Sequence, residues 1–121
     1  MLLNDAGILN ITGGEIASNS SQWGGGINAN GHPTVTLSGT GAVKDNTSTA
    51  NAAGIFLEGD DGQGTTFTMT GGLISGNATE RSGAGVCNWE GQFIMSDNAV
   101  ISDNVSTDTY GGGGGVFNFN G

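Results

Sequence analysis

The chain repeats one pattern four times, and this repetition restricts the folds that it can adopt. Each copy contains an asparagine and, further along, a run of small residues that ends in Ile or Val, as in Gly-Ala-Gly-Val86. The asparagines are Asn19, Asn46, Asn77 and Asn104, and the aliphatic residues are Ile27, Ile55, Val86 and Val116. The asparagines lie 27, 31 and 27 residues apart. Tandem copies with a period of about 30 residues are typical of a solenoid, in which each copy forms one coil.

Apolar and polar residues alternate within each copy, which predicts strands rather than helices. In Val35-Thr-Leu37 and Phe67-Thr-Met69 the apolar side chains occupy alternate positions, so that one face is buried. Glycine and β-branched residues interrupt every window in which a helical period could develop. The sequence therefore predicts an all-β, right-handed parallel β-helix that forms a single domain over residues 1–121. We expect about four coils with three short strands each, uncapped ends, and a longer solenoid of which this chain is a fragment.

The predicted interior consists of four columns of apolar side chains with one member per coil. The columns are Leu9, Val35, Phe67 and Phe93; Ile11, Leu37, Met69 and Met95; Ile16, Val43, Ile74 and Ile101; and Ile27, Ile55, Val86 and Val116. The four repeat asparagines are predicted to stack as a ladder at one corner, where amides can bond to turn backbone and to one another. We expect glycines where φ is positive or where two backbones approach closely.

The strand that follows the small residues carries the candidate binding surface. If its aliphatic residue points inward, alternation sends four aromatic side chains outward: Phe56, Trp89, Phe117 and Phe119. Exposed aromatic rings in a row are typical of a stacking platform for sugar rings or of an apolar patch for a protein partner. The open alternative is that a flanking loop, or the next segment of a longer protein, covers them.

Charge excludes two classes of partner. The chain has eleven acidic residues and only two basic ones, Lys44 and Arg81, which gives a formal net charge of −9. Two cations cannot neutralise a phosphate backbone or an anionic membrane surface, so we expect no nucleic-acid partner. No apolar run is long enough for a membrane span, so we expect no membrane insertion by this segment. Cys87 is the only cysteine, which excludes a disulfide framework within the chain.

The sequence predicts neither catalysis nor a bound metal or cofactor. Polysaccharide hydrolysis needs paired carboxylates at a defined separation, whereas the acids here are dispersed along the repeats. His32 follows a turn glycine and has no second histidine to work with, so we interpret it as a solvated loop residue. The pair Asp60 and Asp61 lacks the spaced oxygen ligands of a calcium loop.

One segment resembles a known repeat. Thr68-Met-Thr-Gly-Gly-Leu-Ile-Ser-Gly-Asn-Ala-Thr79, followed by Gly83-Ala-Gly-Val86, resembles the repeat of polymorphic outer-membrane-protein-like and related bacterial surface β-helix proteins. The resemblance covers essentially the whole chain and implies a non-catalytic structural or adhesive module, at the cell surface or outside the cell. It implies carbohydrate or a host surface protein as the partner. No secretion signal is visible within this segment.

Three further expectations remain open. The wider pectate-lyase-like fold also contains polysaccharide lyases and hydrolases, so a degenerate enzyme of that kind is the main alternative. A second outer face carries two columns rich in Thr and Ser, which resemble an ice-binding surface. The first column is Asn10, Thr36, Thr68 and Ile94, and the second is Thr12, Ser38, Thr70 and Ser96. Open parallel edges at the ends of the stack favour strand addition, so we also expect end-to-end self-association.

Overall fold

A computed structural model describes residues 1–60, 64–110 and 112–121, and these residues form parallel strands without a helix. The strands are β1 (Leu2–Asn4), β2 (Ile8–Ile11), β3 (Glu15–Ala17), β4 (Ser20–Ser21), β5 (Ile27–Asn30), β6 (Thr34–Leu37), β7 (Ala42–Lys44), β8 (Thr47–Ser48), β9 (Ile55–Glu58), β10 (Thr66–Met69), β11 (Leu73–Ser75), β12 (Ala78–Thr79), β13 (Val86–Trp89), β14 (Gln92–Met95), β15 (Val100–Ser102), β16 (Val105–Ser106) and β17 (Val116–Phe119). No helix among the described residues is long and apolar enough to cross a membrane.

Four parallel sheets run along the stack, and each coil contributes one strand to every sheet. Sheet A contains β1, β5, β9, β13 and β17; sheet B contains β2, β6, β10 and β14; sheet C contains β3, β7, β11 and β15; and sheet D contains β4, β8, β12 and β16. We count coils from β2, so that each coil passes through sheets B, C, D and A in turn and β1 precedes the first coil. The predicted all-β parallel solenoid of about four turns is confirmed.

Each coil has four strands, so the prediction of three strands per coil is wrong by one. The additional strand is the two-residue member of sheet D that directly follows the ladder asparagine, such as Ala78–Thr79 after Asn77. The amide of Ala78 donates to the carbonyl of Asn46 on the coil below at 2.9 Å, which fixes this short strand in register. A two-residue strand is too short for apolar alternation to reveal it in the sequence.

The predicted interior columns are confirmed by the strand register. Val43 pairs with Ile16 on one side and with Ile74 on the other, and Ile74 pairs with Ile101. Val43 and Ile74 are fully buried, whereas the outermost members of the column are partly exposed because a coil covers them on one side only. Phe67 and Phe93 stack face to face in the interior with ring centroids 5.1 Å apart. Burial of these side chains is the main term that favours the folded stack.

The four repeat asparagines form one directional ladder of hydrogen bonds. Each side-chain amide donates to the side-chain oxygen of the next asparagine along the stack, at 3.0 Å from Asn19 to Asn46, 2.9 Å from Asn46 to Asn77, and 2.8 Å from Asn77 to Asn104. Each acceptor oxygen also receives the backbone N–H of the asparagine below. Asn46 and Asn77 are completely buried, so the ladder satisfies polar groups that water cannot reach.

A second, shorter asparagine ladder occupies an inward-facing position of sheet A near the end of the stack, where Asn88 is buried and Asn118 is exposed. The inward position held by Leu57 on β9 is held by Asn88 on β13 and by Asn118 on β17. The Asn88 side-chain amide donates to the carbonyl of Gly91 at 3.0 Å and to the side-chain oxygen of Asn118 at 2.6 Å. Sequence reasoning missed this pair because its inward column, which runs through Leu3, Ala29, Leu57, Asn88 and Asn118, was not among the four predicted columns.

Candidate functional site

The outer face of sheet A presents two columns of side chains. The register places Leu2, Asn28, Phe56, Cys87 and Phe117 in the first column, and Asn4, Asn30, Glu58, Trp89 and Phe119 in the second. All four aromatic residues selected from the sequence therefore lie on this face and toward its later coils. Trp89 and Phe119 stack on each other with ring centroids 4.4 Å apart.

Phe56 is not exposed, and the expectation that it presents a contact surface is wrong. Only 5% of its surface reaches solvent, because it packs with Ala52 and Cys87 in a small apolar cluster outside the main core. Trp23, in the turn before β5, leans over this cluster with its ring 5.6 Å from that of Phe56. A flanking loop thus covers part of the predicted aromatic face, as the open alternative supposed.

The remaining aromatic residues are accessible. Trp89 and Phe117 pack against the cluster from its edge and are partly exposed, and 39% of Phe119 is exposed. Trp23 itself is 41% exposed, although it was not among the residues predicted from the sequence. The accessible aromatic surface therefore consists of Trp23 on one side of the buried Phe56, and Trp89 with its two phenylalanine neighbours on the other.

An open cleft of about 530 Å³ lies between these aromatic groups. Its aromatic lining comes from Trp23, Trp89 and Phe117. The turns that connect sheet D to sheet A supply the rest of the lining. Its polar residues are Gln22, Thr49, Asn51, Arg81, Ser82 and Asp108, and Ala50 lies between them. Aromatic faces beside amide, hydroxyl and charged groups are the usual lining of a small-molecule site.

Hydrogen bonds between adjacent coils hold the polar lining in place. The Ser82 hydroxyl donates to the Asp108 carboxylate at 3.2 Å, and the Ser82 backbone N–H donates to the side-chain oxygen of Asn51 at 3.2 Å. The second carboxylate oxygen of Asp108 accepts the backbone N–H of Tyr110 at 2.9 Å. Three consecutive coils are therefore tied together across the cleft, which fixes its shape before any ligand arrives.

Within the described part of the chain, the cleft lining contains one cation, Arg81, and one anion, Asp108. Arg81 forms no ion pair with the described carboxylates, whereas Lys44, elsewhere on the surface, pairs with Glu15 at 2.8 Å. The hydrogen bond and the charge of Glu15 raise the pKa of Lys44. Arg81 thus keeps its guanidinium donors for other partners, while Asp108 already accepts two hydrogen bonds.

Three of the cleft residues that sequence reasoning missed occupy one position of the repeat. Trp23, Asn51 and Ser82 each stand just before the small residues that lead into a strand of sheet A. Parallel stacking places equivalent repeat positions above one another, so these side chains form a single row. Alignment of the repeats at the small residues, rather than at the asparagines, would have revealed the row.

The other residues considered for chemistry lie apart from the cleft. His32 is exposed in the turn after β5, Asp60 is exposed after β9, and Asp61 lies outside the described residues. Among the described residues, no three His, Cys, Asp or Glu side chains are grouped so that they could hold a metal ion. Cys87 lies within the outer apolar cluster, where burial raises the pKa of its thiol to about 12.

The Thr and Ser columns lie on the outer face of sheet B. In the first of these columns the register brings Thr36 beside Thr68. Asn10 lies on one side of this threonine pair and Ile94 on the other. The hydroxyl groups of this column therefore extend over only two coils.

Comparisons of the chain with protein-family models, with curated proteins and with solved structures find no match.

Proposed function

We propose that the chain is a non-catalytic adhesive module of a bacterial cell-surface or secreted protein, which binds carbohydrate in the cleft between Trp23 and Trp89. The observation that carries the proposal is the combination of flat aromatic faces with amide and hydroxyl groups in one cleft. The faces of sugar rings carry C–H groups that pack on aromatic rings, while their hydroxyls bond to planar polar side chains.

The carboxylates favour binding over hydrolysis. Glycoside hydrolysis uses two carboxylates that flank the scissile bond, about 5 Å or 6.5–9.5 Å apart according to the stereochemical outcome. Among the residues that the structure describes, Asp108 is the only carboxylate that lines the cleft, and it accepts two hydrogen bonds. A degenerate polysaccharide lyase or hydrolase therefore remains the alternative, and the absence of turnover on pectin and polygalacturonate would remove it.

The resemblance of the repeat to bacterial surface β-helix proteins supports the proposed location. A stack of short parallel strands without disulfides is stabilised by its own neighbour contacts, and it presents turns along one side without constraining their sequence. The turns between sheets D and A supply the polar lining of the cleft. Such a scaffold suits an adhesive surface, because binding residues concentrate in loops that a rigid framework positions.

Binding to a glycan array and to glycan-coated beads tests the proposal, with Trp89→Ala as the site variant. We expect the wild type to retain a set of glycans and Trp89→Ala to lose them. Tyr110→Ala is the matched control, because Tyr110 is almost fully exposed and does not line the cleft. Circular dichroism checks that both variants keep their strand content. Unchanged glycan retention by a folded Trp89→Ala variant would contradict the proposal, as would attachment to host cells that survives removal of their surface glycans.

A further inference from the structure

The two tryptophans of the cleft belong to different coils. Trp23 lies in the first coil, in the turn that leads into β5, and Trp89 lies in the third coil, on β13. β5 pairs with β9, and β9 pairs with β13, so two strand spacings separate the two levels. Because adjacent strands are about 4.8 Å apart, the backbone segments that carry the two tryptophans are offset by roughly 10 Å along the stack. The Trp23 ring reaches toward the second coil, where it packs against Phe56.

Polar groups of the second and third coils line the cleft beside the two tryptophans. Asn51 belongs to the second coil, Ser82 and Arg81 belong to the third, and all three line the same cleft as the tryptophans. Trp23 also borders a second depression of about 410 Å³, which continues toward the first strands. The cleft is therefore a groove parallel to the stack, with an aromatic group near each end and hydrogen-bonding groups between.

The charges select an uncharged occupant. Arg81 and Asp108 balance each other within the cleft, whereas the whole chain carries a formal net charge of −9. The electric field of this net negative charge repels a polyanion as it approaches. At physiological salt the repulsion is largely screened at distances beyond about 8 Å and acts within that distance. A chain of uronic acids would meet the guanidinium of Arg81, the carboxylate of Asp108 and a protein of net negative charge.

We propose that the ligand is a linear, uncharged polysaccharide whose chain lies along the stack, with one ring on Trp23 and a later ring on Trp89 and Phe117. This inference rests on the proposed carbohydrate-binding function and adds the length, direction and charge of the ligand. It also explains why the turn before β5 carries a tryptophan at a position where the next two coils carry Asn51 and Ser82. The first ring position requires an aromatic face, whereas the middle of the groove requires hydrogen-bonding groups.

The two tryptophans are the only ones in the chain, so tryptophan fluorescence, excited selectively over Tyr110, reports on the cleft. Trp23→Phe and Trp89→Phe each leave one tryptophan in the chain and keep a flat aromatic ring at the substituted position. Cello-, xylo- and manno-oligosaccharides of one to six residues serve as probes, titrated by calorimetry and by fluorescence. We expect monosaccharides to bind too weakly to detect, and affinity to rise with length until the chain spans both tryptophans and then to level off.

Alanine variants separate the two ring positions. We expect Trp23→Ala and Trp89→Ala each to weaken binding of the longest bound oligosaccharide about tenfold, the loss of one stacking contact. The phenylalanine variants should restore most of this affinity. A disaccharide should shift the fluorescence of only one of the two single-tryptophan variants, whereas a hexasaccharide should shift both.

The outcomes distinguish this inference from the proposed function. Binding whose affinity does not change with chain length would overturn the linear, two-position arrangement and leave carbohydrate binding intact. Tighter binding of oligogalacturonates than of neutral oligosaccharides, weakened by added salt, would overturn the uncharged ligand. If glycan arrays and all oligosaccharides show no binding to the folded chain, the proposed function itself fails and the inference fails with it.

Discussion

Trp23 packs its ring against Phe56 with centroids 5.6 Å apart, although the two residues belong to successive coils. The contact gives sheet A an apolar cluster on its outer face, separate from the main core inside the solenoid. It also turns the indole of Trp23 into one wall of the cleft. One contact thus both stabilises the turn and shapes the candidate site.

The outer cluster makes Phe56 a structural residue. We expect Phe56→Ala to lower the free energy of unfolding by about 3 kcal/mol, because it removes a nearly buried ring and leaves a cavity under Trp23. Phe119→Ala is the matched control on the same face, where 39% of the side chain is exposed, and it should cost about 1 kcal/mol or less. Urea unfolding followed by circular dichroism measures both. Equal losses in the two variants would show that Phe56 is not buried.

The asparagine ladder predicts a graded response along the stack. Asn77→Ala should lower the free energy of unfolding by about 1–3 kcal/mol, because it removes the acceptor of the Asn46 backbone N–H and of one Asn46 side-chain N–H, and the side-chain donor to the carbonyl of Val43. Asn19→Ala should cost less, since Asn19 is exposed at the end of the ladder. Thermal unfolding of both variants is the measurement. A larger loss for Asn19→Ala than for Asn77→Ala would contradict a ladder whose strength depends on burial.

The interior could be predicted from the sequence because two independent regularities specify it. The alternation in Val35-Thr-Leu37 determines which side chains point inward, and the repeat period determines which of them stack. The turns between sheets D and A follow neither rule, since their conformation depends on contacts with neighbouring coils. The position of Trp23 over Phe56, and hence the cleft, could therefore not be derived from alternation. The same limit explains the missed strands of sheet D.

Close approach of the coils predicts a penalty for a single methyl group. A Cβ at Gly54 would lie 2.3 Å from the carbonyl oxygen of Gly85 on the next coil, so the coils would have to separate. We expect Gly54→Ala to lower the free energy of unfolding by about 1–3 kcal/mol. Ala53→Gly, at the adjacent position, is the control for the altered flexibility of the turn and should cost about 1 kcal/mol. If Gly54→Ala melted at the wild-type temperature, the spacing of the coils at this corner would be looser than described.

The ends of the stack predict association without long filaments. Met1, Leu2 and Ile8 are exposed at one end and Met95, Val105 and Val116 at the other, which favours concentration-dependent association of the 121-residue chain. Sheet A has five strands and each other sheet has four, so a second copy whose β2 paired with β14 would place its β1 where β17 already lies. Identical copies therefore cannot stack without displacing a strand.

Light scattering and electron microscopy over a range of concentrations test this expectation. Scattering should rise with concentration, and microscopy should show short or irregular particles. Long regular filaments would contradict the strand arrangement, and a strict monomer at every concentration would contradict the exposed apolar ends.

Cys87 predicts how stability changes at alkaline pH. Burial in the outer cluster raises the pKa of its thiol from the model-compound value of 9.0 to about 12, so the folded state disfavours the thiolate. The unfolded chain releases the proton first, and the stability present below pH 9 is therefore lost progressively between pH 9 and pH 12. Cys87→Ser keeps the size of the side chain without an ionisable thiol, so the wild type should lose more stability than this variant over that interval. Urea unfolding at pH 8, 9, 10 and 11 gives the two slopes. Parallel slopes would show that the thiol ionises equally well in both states, and rapid alkylation of the folded protein at pH 8 would lead to the same conclusion by a separate route.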